Sequence, residues 1–276
     1  MSSRLSGTCG ALVFLLWLPG LATAQNRIFP SVPSFERPEA SPRVHGLAAR
    51  VISAERGDSR FGKESEAEVA LGENFPILAL RRGRHPITLG FGSQVYARFS
   101  LSDSKSALIS NDWVVGLNST ATLGAWSLTV EAYHESSHLG DEYEDRFDAR
   151  RLDWTREVLA GWASYATGAW RITGSASYAL RDELRLRRPG ASFGVDFRPP
   201  SRRGGAVRPV GGLYFDANAA TSWRVSVSFK SGVVLQAAPG SREIGLAVIA
   251  HDGLSTQRQF FREESRYLGL EVRFDL

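Results

Sequence analysis

Hydrophobic and polar residues alternate with a period of two over long runs of this chain. The run at residues 268–276 is the clearest, with one parity apolar and the other charged or glycine; the apolar positions are Leu268, Leu270, Val272, Phe274 and Leu276. Successive side chains of a β-strand point to opposite faces, so this period is that of a strand. No comparable helical periodicity follows residue 43, and the chain is predicted to be all-β.

The runs are about ten residues long or slightly longer, which is the length that a tilted strand needs to cross a bilayer. Strands of soluble domains average about five to six residues. The faces opposite the apolar ones carry charged, glycine or small polar residues, as the lumen of a membrane barrel does. The pattern therefore predicts an antiparallel transmembrane β-barrel.

We count about twelve strands, within a range of 10–14. Long connections at 137–149 and 251–263 follow odd strands, whereas short ones at 81–85, 123–124 and 167–168 follow even strands, an asymmetry typical of outer-membrane barrels. The predicted strands are 43–54, 66–80, 86–101, 109–122, 125–136, 150–166, 169–184, 190–198, 206–217, 221–234, 241–250 and 264–276.

The first 24 residues have the features of a secretory signal peptide. Arg4 precedes an apolar run at 11–21, and Ala22-Thr23-Ala24 has the small-x-small form of a cleavage site. The run is too short to span a bilayer, although an uncleaved anchor is the alternative. The expected organisation is a signal peptide at 1–24, cleaved after Ala24, a proline-rich periplasmic linker at 25–42, and a barrel at 43–276 in the outer membrane of a Gram-negative cell.

The amino-acid composition excludes several classes of function. The only cysteine, Cys9, lies within the predicted signal peptide, which excludes a disulfide scaffold and cysteine-based zinc modules. The net charge is +4, and no block of lysine and arginine indicates a nucleic-acid partner. No phosphate-binding loop or dinucleotide fingerprint is present, and no cofactor is predicted.

Charged residues of both signs fall on the predicted lumen face. In a low dielectric they should pair, so that the lumen is either filled by ion pairs or reduced to a narrow pore. This set is Glu131, Asp153, Glu157, Arg171, Asp196, Arg198, Asp216, Arg224, Lys230, Glu243, Glu271 and Arg273. The six tryptophans beyond residue 24 lie mostly near predicted strand ends, as interfacial girdles require.

The segment from His134 to His138 matches the H-E-x-x-H pattern of zinc proteases. That pattern needs a helix, which brings its two histidines within about 6 Å. Here it continues an alternating strand, in which residues four apart are separated by about 13 Å. The zinc-protease interpretation is therefore rejected.

The same segment contains residue types that could act as a nucleophilic group where the strand opens into a loop. The candidates are Ser136, Ser137, His138 and Asp141, with His134 and Glu142 nearby. A hydrogen-bonded loop on the barrel rim is the alternative, and the sequence favours it. Four acids of this loop, Asp141, Glu142, Glu144 and Asp145, are candidates for a calcium site, against a solvated acidic loop as the simpler interpretation.

Four arginines lie near the next predicted extracellular connection. Arginine suits phosphate, so Arg181, Arg185, Arg187 and Arg188 are predicted to meet outer-membrane lipids, including lipopolysaccharide phosphates, or else to form a solvated basic turn. The oligomeric state is taken as monomeric by default.

The segment Ser136-Ser137-His138-Leu139-Gly140-Asp141-Glu142 resembles the central motif of the bacterial domain of unknown function 1207 family. The segments 212–217, 259–261 and 267–270 fit the same family, and the resemblance covers roughly residues 45–276. It implies an exported outer-membrane β-barrel and supplies no catalytic residue. Ending in Leu276 rather than an aromatic residue is a departure from the usual barrel terminus.

The function expected from the sequence is therefore that of an outer-membrane barrel of structural or narrow-pore type with no identified substrate, and the sequence favours a non-enzymatic role over an enzymatic one. The alternative is a lipid-modifying hydrolase that uses the segment from His134 to Glu142. A soluble periplasmic β-protein is a third interpretation.

Overall fold

The computed structural model describes residues 27–30, 35–43, 45–56, 65–82, 85–102, 106–200, 207–236 and 242–274. The predicted signal peptide lies outside these residues. A two-residue strand, β1 (Arg27–Ile28), precedes twelve long strands. They are β2 (Leu47–Arg56), β3 (Ser65–Arg82), β4 (His85–Ser100), β5 (Leu108–Leu123), β6 (Trp126–Leu139), β7 (Trp154–Thr167), β8 (Trp170–Asp182), β9 (Pro189–Phe197), β10 (Val207–Asn218), β11 (Ser226–Gln236), β12 (Glu243–Leu254) and β13 (Glu264–Phe274).

The twelve long strands form one closed barrel. Each pairs antiparallel with its neighbour in sequence, and β13 pairs with β2, with Leu270 opposite Val51. The short β1 pairs with Leu78 and Ala79 of β3, beyond the stretch of β3 that pairs with β2. Closure satisfies the backbone hydrogen bonds of every barrel strand, which is what a strand needs in a hydrocarbon environment. The predicted transmembrane barrel of about twelve strands is confirmed.

The outer wall carries large exposed apolar side chains on alternate residues, including Leu117, Val130, Leu180 and Leu270. The tight turn at residues 124–125 and the long connection after β6 lie at opposite ends of the barrel, and outer-membrane barrels keep their short turns in the periplasm. The connection after β6 is therefore assigned to the extracellular side. Among the described residues, no helix is long and apolar enough to cross a membrane.

The tryptophans divide between the two faces of the wall. Four are exposed on the outside, Trp113, Trp126, Trp170 and Trp223, as the girdle prediction requires. Trp154 and Trp162 instead face the lumen, where their indole nitrogens donate to Glu135 and Glu131 at 3.0 Å and 2.9 Å. For these two the girdle expectation was wrong, because the barrel interior offers carboxylate partners for a buried indole.

Residues 35–43 enter the lumen, and we call them the inner segment. Phe35 packs near Trp162, with ring centroids 6.2 Å apart, and the Glu39 backbone nitrogen donates to Asp196 at 2.8 Å. A side chain at Gly194 would place its Cβ 2.7 Å from Pro38, so this glycine makes room for the segment. The second half of the predicted periplasmic linker is thus buried inside the barrel.

Part of the extracellular end of the barrel is covered by residues 255–263, which we call the capping loop. Gln257 is buried and bonds to Glu68 and Ser110, while the side-chain nitrogen of Gln259 donates to the Ser137 carbonyl at 2.8 Å. The helix α1 (Asp141–Phe147) packs on this loop through Tyr143, whose ring lies 5.5 Å from that of Phe260.

Ion pairs fill one side of the lumen between these two covers. Arg50 bridges Glu271 at 2.7 Å and Glu68 at 2.5 Å, and Lys230 contacts Glu271 at 2.7 Å. The predicted pairing of lumen charges is confirmed for Glu271 and Lys230. Because a charge in the barrel interior needs a partner, such a network holds neighbouring strands in register.

Candidate functional site

The extracellular half of β6 divides the residues of the histidine–serine segment between two faces. His134, Ser136 and His138 share the outward parity of Val130, which is exposed. Glu135 and Ser137 share the lumen parity and are buried. A strand must separate neighbouring residues in this way, so the segment presents a His-x-Ser-x-His row to the outside of the barrel.

His134 is held by a carboxylate from the next strand. In the pairing of β6 with β7, His134 lies opposite Glu157, and His134 Nδ1 lies 2.9 Å from Glu157 Oε1. The side chains are 37% and 46% exposed respectively. The pair is thus accessible from outside the barrel, and its geometry follows from the strand register rather than from a loop.

This pair lies at the boundary between the apolar belt and the polar rim. On the periplasmic side of it, the same outward face carries exposed Leu159 and Val130. Towards the rim come Ser136 and, opposite it on β5, exposed Trp113. Tryptophan marks the level of the lipid headgroups in membrane barrels, and Ser136 lies beside it.

The arrangement supplies the parts of a nucleophilic group. The carboxylate of Glu157 engages Nδ1 of His134, which leaves Nε2 as the ring nitrogen that can accept a proton from a hydroxyl. Ser136 is two residues away on the same face, about 7 Å along the strand between Cα atoms. A hydroxyl, an imidazole and an orienting carboxylate therefore lie on one outward patch, which we call the rim site: His134, Ser136 and Glu157.

The inward face of the same strand is rigidly held. Glu135 accepts from Arg43 of the inner segment at 2.8 Å and from Arg258 of the capping loop at 2.9 Å. Arg43 also pairs with Asp112 on β5 and donates to the Thr256 carbonyl at 3.0 Å. The strand that carries the rim site is therefore anchored from inside by groups on three other segments.

The structure does not bring together the four catalytic candidates taken from the sequence. Ser136 and His138 face outward, but Ser137 faces the lumen. Asp141 begins α1 and pairs with Arg151 at 2.9 Å. The rim site uses Ser136 from that set and His134 from the same segment.

Glu157 completes the rim site, and sequence reasoning placed it in the lumen. That placement was wrong, because the inward positions of β7 are occupied by Trp154, Val158 and Trp162, which pack around the inner segment and the capping loop. Apolar residues thus lie on both faces of β7, so the charge of Glu157 did not show which of the two faces points into the lumen. The strand pairing of His134 with Glu157 was the signal that could have identified it.

The acidic candidates for a metal site lie at the start of α1. Asp141 and Glu144 both pair with Arg151, at 2.9 Å and 2.7 Å. Carboxylates in the first turn of a helix also stabilise it through its dipole. Across the described part of the chain, no group of three or more histidine, cysteine, aspartate or glutamate side chains is arranged to hold a metal ion.

The four arginines proposed to meet phosphates are all exposed, at the end of β8 and in the connection to β9. Arg181 is the one nearest the rim site, because it lies opposite Glu157 in the pairing of β7 with β8. It also bonds to Glu183 at 2.8 Å. A positively charged group therefore borders the rim site on its β8 side.

Several solved structures share this fold. Outer membrane phospholipase A from Escherichia coli aligns with a TM-score of 0.55 and 13% identity, over 88% of this chain and 93% of that chain. The Salmonella typhi outer membrane phospholipase dimer with bound calcium gives 0.56 and 12%, over 87% and 93%. KdgM porin gives 0.43 and 11%, over 83% and 99%. At these identities the likeness to the two phospholipases is one of fold: that of an outer-membrane β-barrel.

No curated protein sequence matches this chain. A family model does, over residues 22–276, a range that includes the inner segment, every barrel strand and the capping loop. The chain therefore belongs to the family described as protein of unknown function (DUF1207).

Proposed function

We propose that this protein is an outer-membrane lipid hydrolase that cleaves an ester bond in the outer leaflet at the rim site. The observation that carries the proposal is the bond between His134 Nδ1 and Glu157 Oε1 on the outside of the barrel, beside Ser136. In this proposal Ser136 is the nucleophile, His134 the general base and Glu157 the group that orients the imidazole.

The chemistry follows from these roles. The Ser136 oxygen attacks the ester carbonyl while His134 takes the hydroxyl proton, and collapse of the adduct breaks the bond to the alcohol, which leaves with that proton. Water then attacks the acyl-serine, His134 takes its proton and returns it to the serine oxygen, and a fatty acid is released. Glu157 stabilises the imidazolium that forms at each step.

The position of the rim site defines the substrate class. Acyl esters of membrane lipids lie between the headgroups and the hydrocarbon, which is the level indicated by Trp113 and Leu159. Arg181 borders the site, and its pair with Glu183 is exposed to solvent, so a lipid phosphate can displace that carboxylate from the guanidinium. We therefore propose a phosphate-bearing lipid as substrate. The fold is compatible with this activity, since two similar structures are outer-membrane phospholipases.

The test uses the purified full-length protein in mixed micelles of detergent with phosphatidylethanolamine, phosphatidylglycerol or lipid A, with release of fatty acid as the readout. Ser136→Ala should abolish release. His134→Gln should lower the rate by about one hundred to ten thousand-fold, the usual contribution of a general base.

The chain offers matched controls on the same strand. Ser137→Ala alters a serine on the lumen face, and His138→Gln alters a second outward histidine. Neither variant should lower the rate by more than about twofold, whereas loss of the general base lowers it by about a hundredfold or more. A wild-type protein that releases no fatty acid from these three lipids would contradict the proposal. So would loss of release in His138→Gln with full release in His134→Gln.

A second function is favoured by the lumen rather than by the outer face. The inner segment contacts Glu135 through Arg43, and the capping loop contacts it through Arg258. Segments from the two ends of the barrel therefore meet at this position in the lumen. This supports a role as a closed structural barrel of low conductance. The two proposals are compatible, because the rim site lies outside the wall.

A further inference from the structure

A cavity of about 220 Å³ remains in the lumen, lined by residues of β3 to β11, the inner segment and the capping loop. Its floor includes Arg37, Ser41 and Arg43 of the inner segment, and its upper rim includes Arg188 and Arg224 near the extracellular connections. The inner segment closes the cavity on the periplasmic side, and the capping loop covers part of it through Ser255, Thr256 and Arg258. Its remaining lining at the extracellular end comes from the connections that carry Arg188 and Arg224, so we place its opening there. A solute that enters it would be bound rather than conducted.

Four of the arginines around the cavity are already paired with carboxylates. Arg37 pairs with Glu131, Arg43 with Asp112, and Arg258 with Glu135. At the rim, Arg224 pairs with Glu264. A bound anion would have to compete with these carboxylates for each guanidinium, so the paired lining favours a neutral solute.

Two polar groups in the wall remain available. The Tyr133 hydroxyl on β6 and the Asp216 carboxylate on β10 both line the cavity, and neither makes a hydrogen bond or ion pair within the part of the chain that the structure describes. Asp216 interacts with Arg258 and Arg43 only through longer-range attraction. Both side chains are half-buried, and polar groups that face a cavity without a protein partner are completed there by water or by a ligand.

The remaining lining is rich in small hydrogen-bonding groups beside aromatic rings. Asn118, Ser175 and Ser177 contribute amide and hydroxyl groups, and the Tyr133 and Tyr214 rings form part of the wall. A ligand that matches this lining needs several hydroxyl groups and an apolar face, which a sugar ring combines.

We propose that this cavity binds a neutral sugar of one or two rings from the extracellular side, with Asp216 and Tyr133 as its hydrogen-bonding anchors. A carboxylate accepts bonds from two adjacent hydroxyls, and a phenol both donates and accepts. The proposal is independent of the rim site, which is on the other face of the wall.

The test is calorimetric titration of the purified full-length protein in detergent with glucose, maltose and, as an anionic comparison, galacturonate. We expect binding of a neutral sugar, at least tenfold tighter than galacturonate, and at least tenfold weakening in Asp216→Asn and in Tyr133→Phe. The matched control is Asp252→Asn, which alters an aspartate paired with Arg266 on the outer wall and should leave affinity unchanged.

Three outcomes would overturn the proposal: no binding of either neutral sugar to the wild type at tens of millimolar, tighter binding of galacturonate, or unchanged affinity in both variants. If Asp216→Asn fails to fold, as judged by loss of heat-modifiable gel mobility, Ser177→Phe provides the second variant. Its side chain would fill the cavity from β8, and it should abolish sugar binding in a barrel that still folds.

Discussion

Glu39 is the residue on which the inner segment depends most. Its carboxylate contacts Arg198 at 2.5 Å, Lys230 at 3.2 Å and Arg273 at 3.5 Å, three cations that lie just after β9, on β11 and on β13. Arg198 also pairs with Glu243, and Lys230 also pairs with Glu271. The negative charge at Glu39 therefore compensates cations that the surrounding barrel wall places close together.

Replacement of Glu39 by Gln should destabilise the barrel by about 3–5 kcal/mol, since it leaves buried positive charge uncompensated. Urea unfolding in lipid vesicles, followed by tryptophan fluorescence, measures the effect.

The matched control is Glu36→Gln. Glu36 belongs to the same segment and pairs with Arg171, but it is exposed, so its loss should cost less than about 1 kcal/mol. Equal unfolding midpoints for the two variants would show that Glu39 does not hold the segment.

For individual residues, the sequence predicted chemical character better than it predicted the face of the barrel wall on which each side chain lies. Lumen charges were expected to pair, and Lys230 and Glu271 do so. Glu157, Trp154 and Trp162 were assigned to the wrong face, because the packed interior accepts aromatic residues and the outer rim accepts a charged pair. Parity within a strand is certain only where one of its faces is uniformly apolar, as in residues 268–274 of β13.

Among the elements, the strands were predictable and the inner segment was not. All twelve barrel strands occur near their predicted positions, because a wall exposed to lipid on one side imposes strict alternation. β11 starts at Ser226 rather than 221, since Asn218 caps a 3₁₀ turn at Ala219–Thr221 by accepting from the Thr221 nitrogen. The inner segment has no periodicity, and its burial depends on partners from distant strands.

Removal of residues 36–42 should open a path from the cavity to the periplasmic end of the lumen, since the inner segment forms the cavity floor. We expect small or no conductance for the wild type in planar bilayers and stable, larger steps for the deletion variant. Glu36→Gln, which keeps the segment, should behave like the wild type. A deletion variant as silent as the wild type would show that the capping loop closes the lumen alone.

The whole molecule depends on closure of one sheet. In the closed barrel every strand has two partners, whereas an open sheet would expose unpaired backbone groups to lipid. We expect the protein to fractionate with outer membranes and to migrate faster on gels before heating than after it. Removal of residues 264–274, which form β13, should abolish both properties; recovery of the full-length protein as a soluble periplasmic monomer would contradict the membrane assignment.

The position of the inner segment next to β2 has a consequence for assembly. The seam of the barrel joins β2 to β13, and Arg50 on β2 bonds across it to Glu271 as well as to the Pro42 carbonyl of the segment. To thread a charged peptide into an already sealed barrel would strip its water before any partner was in reach. We therefore expect the segment to pack on the open sheet before β2 pairs with β13, so that the barrel closes around residues near its own N-terminus.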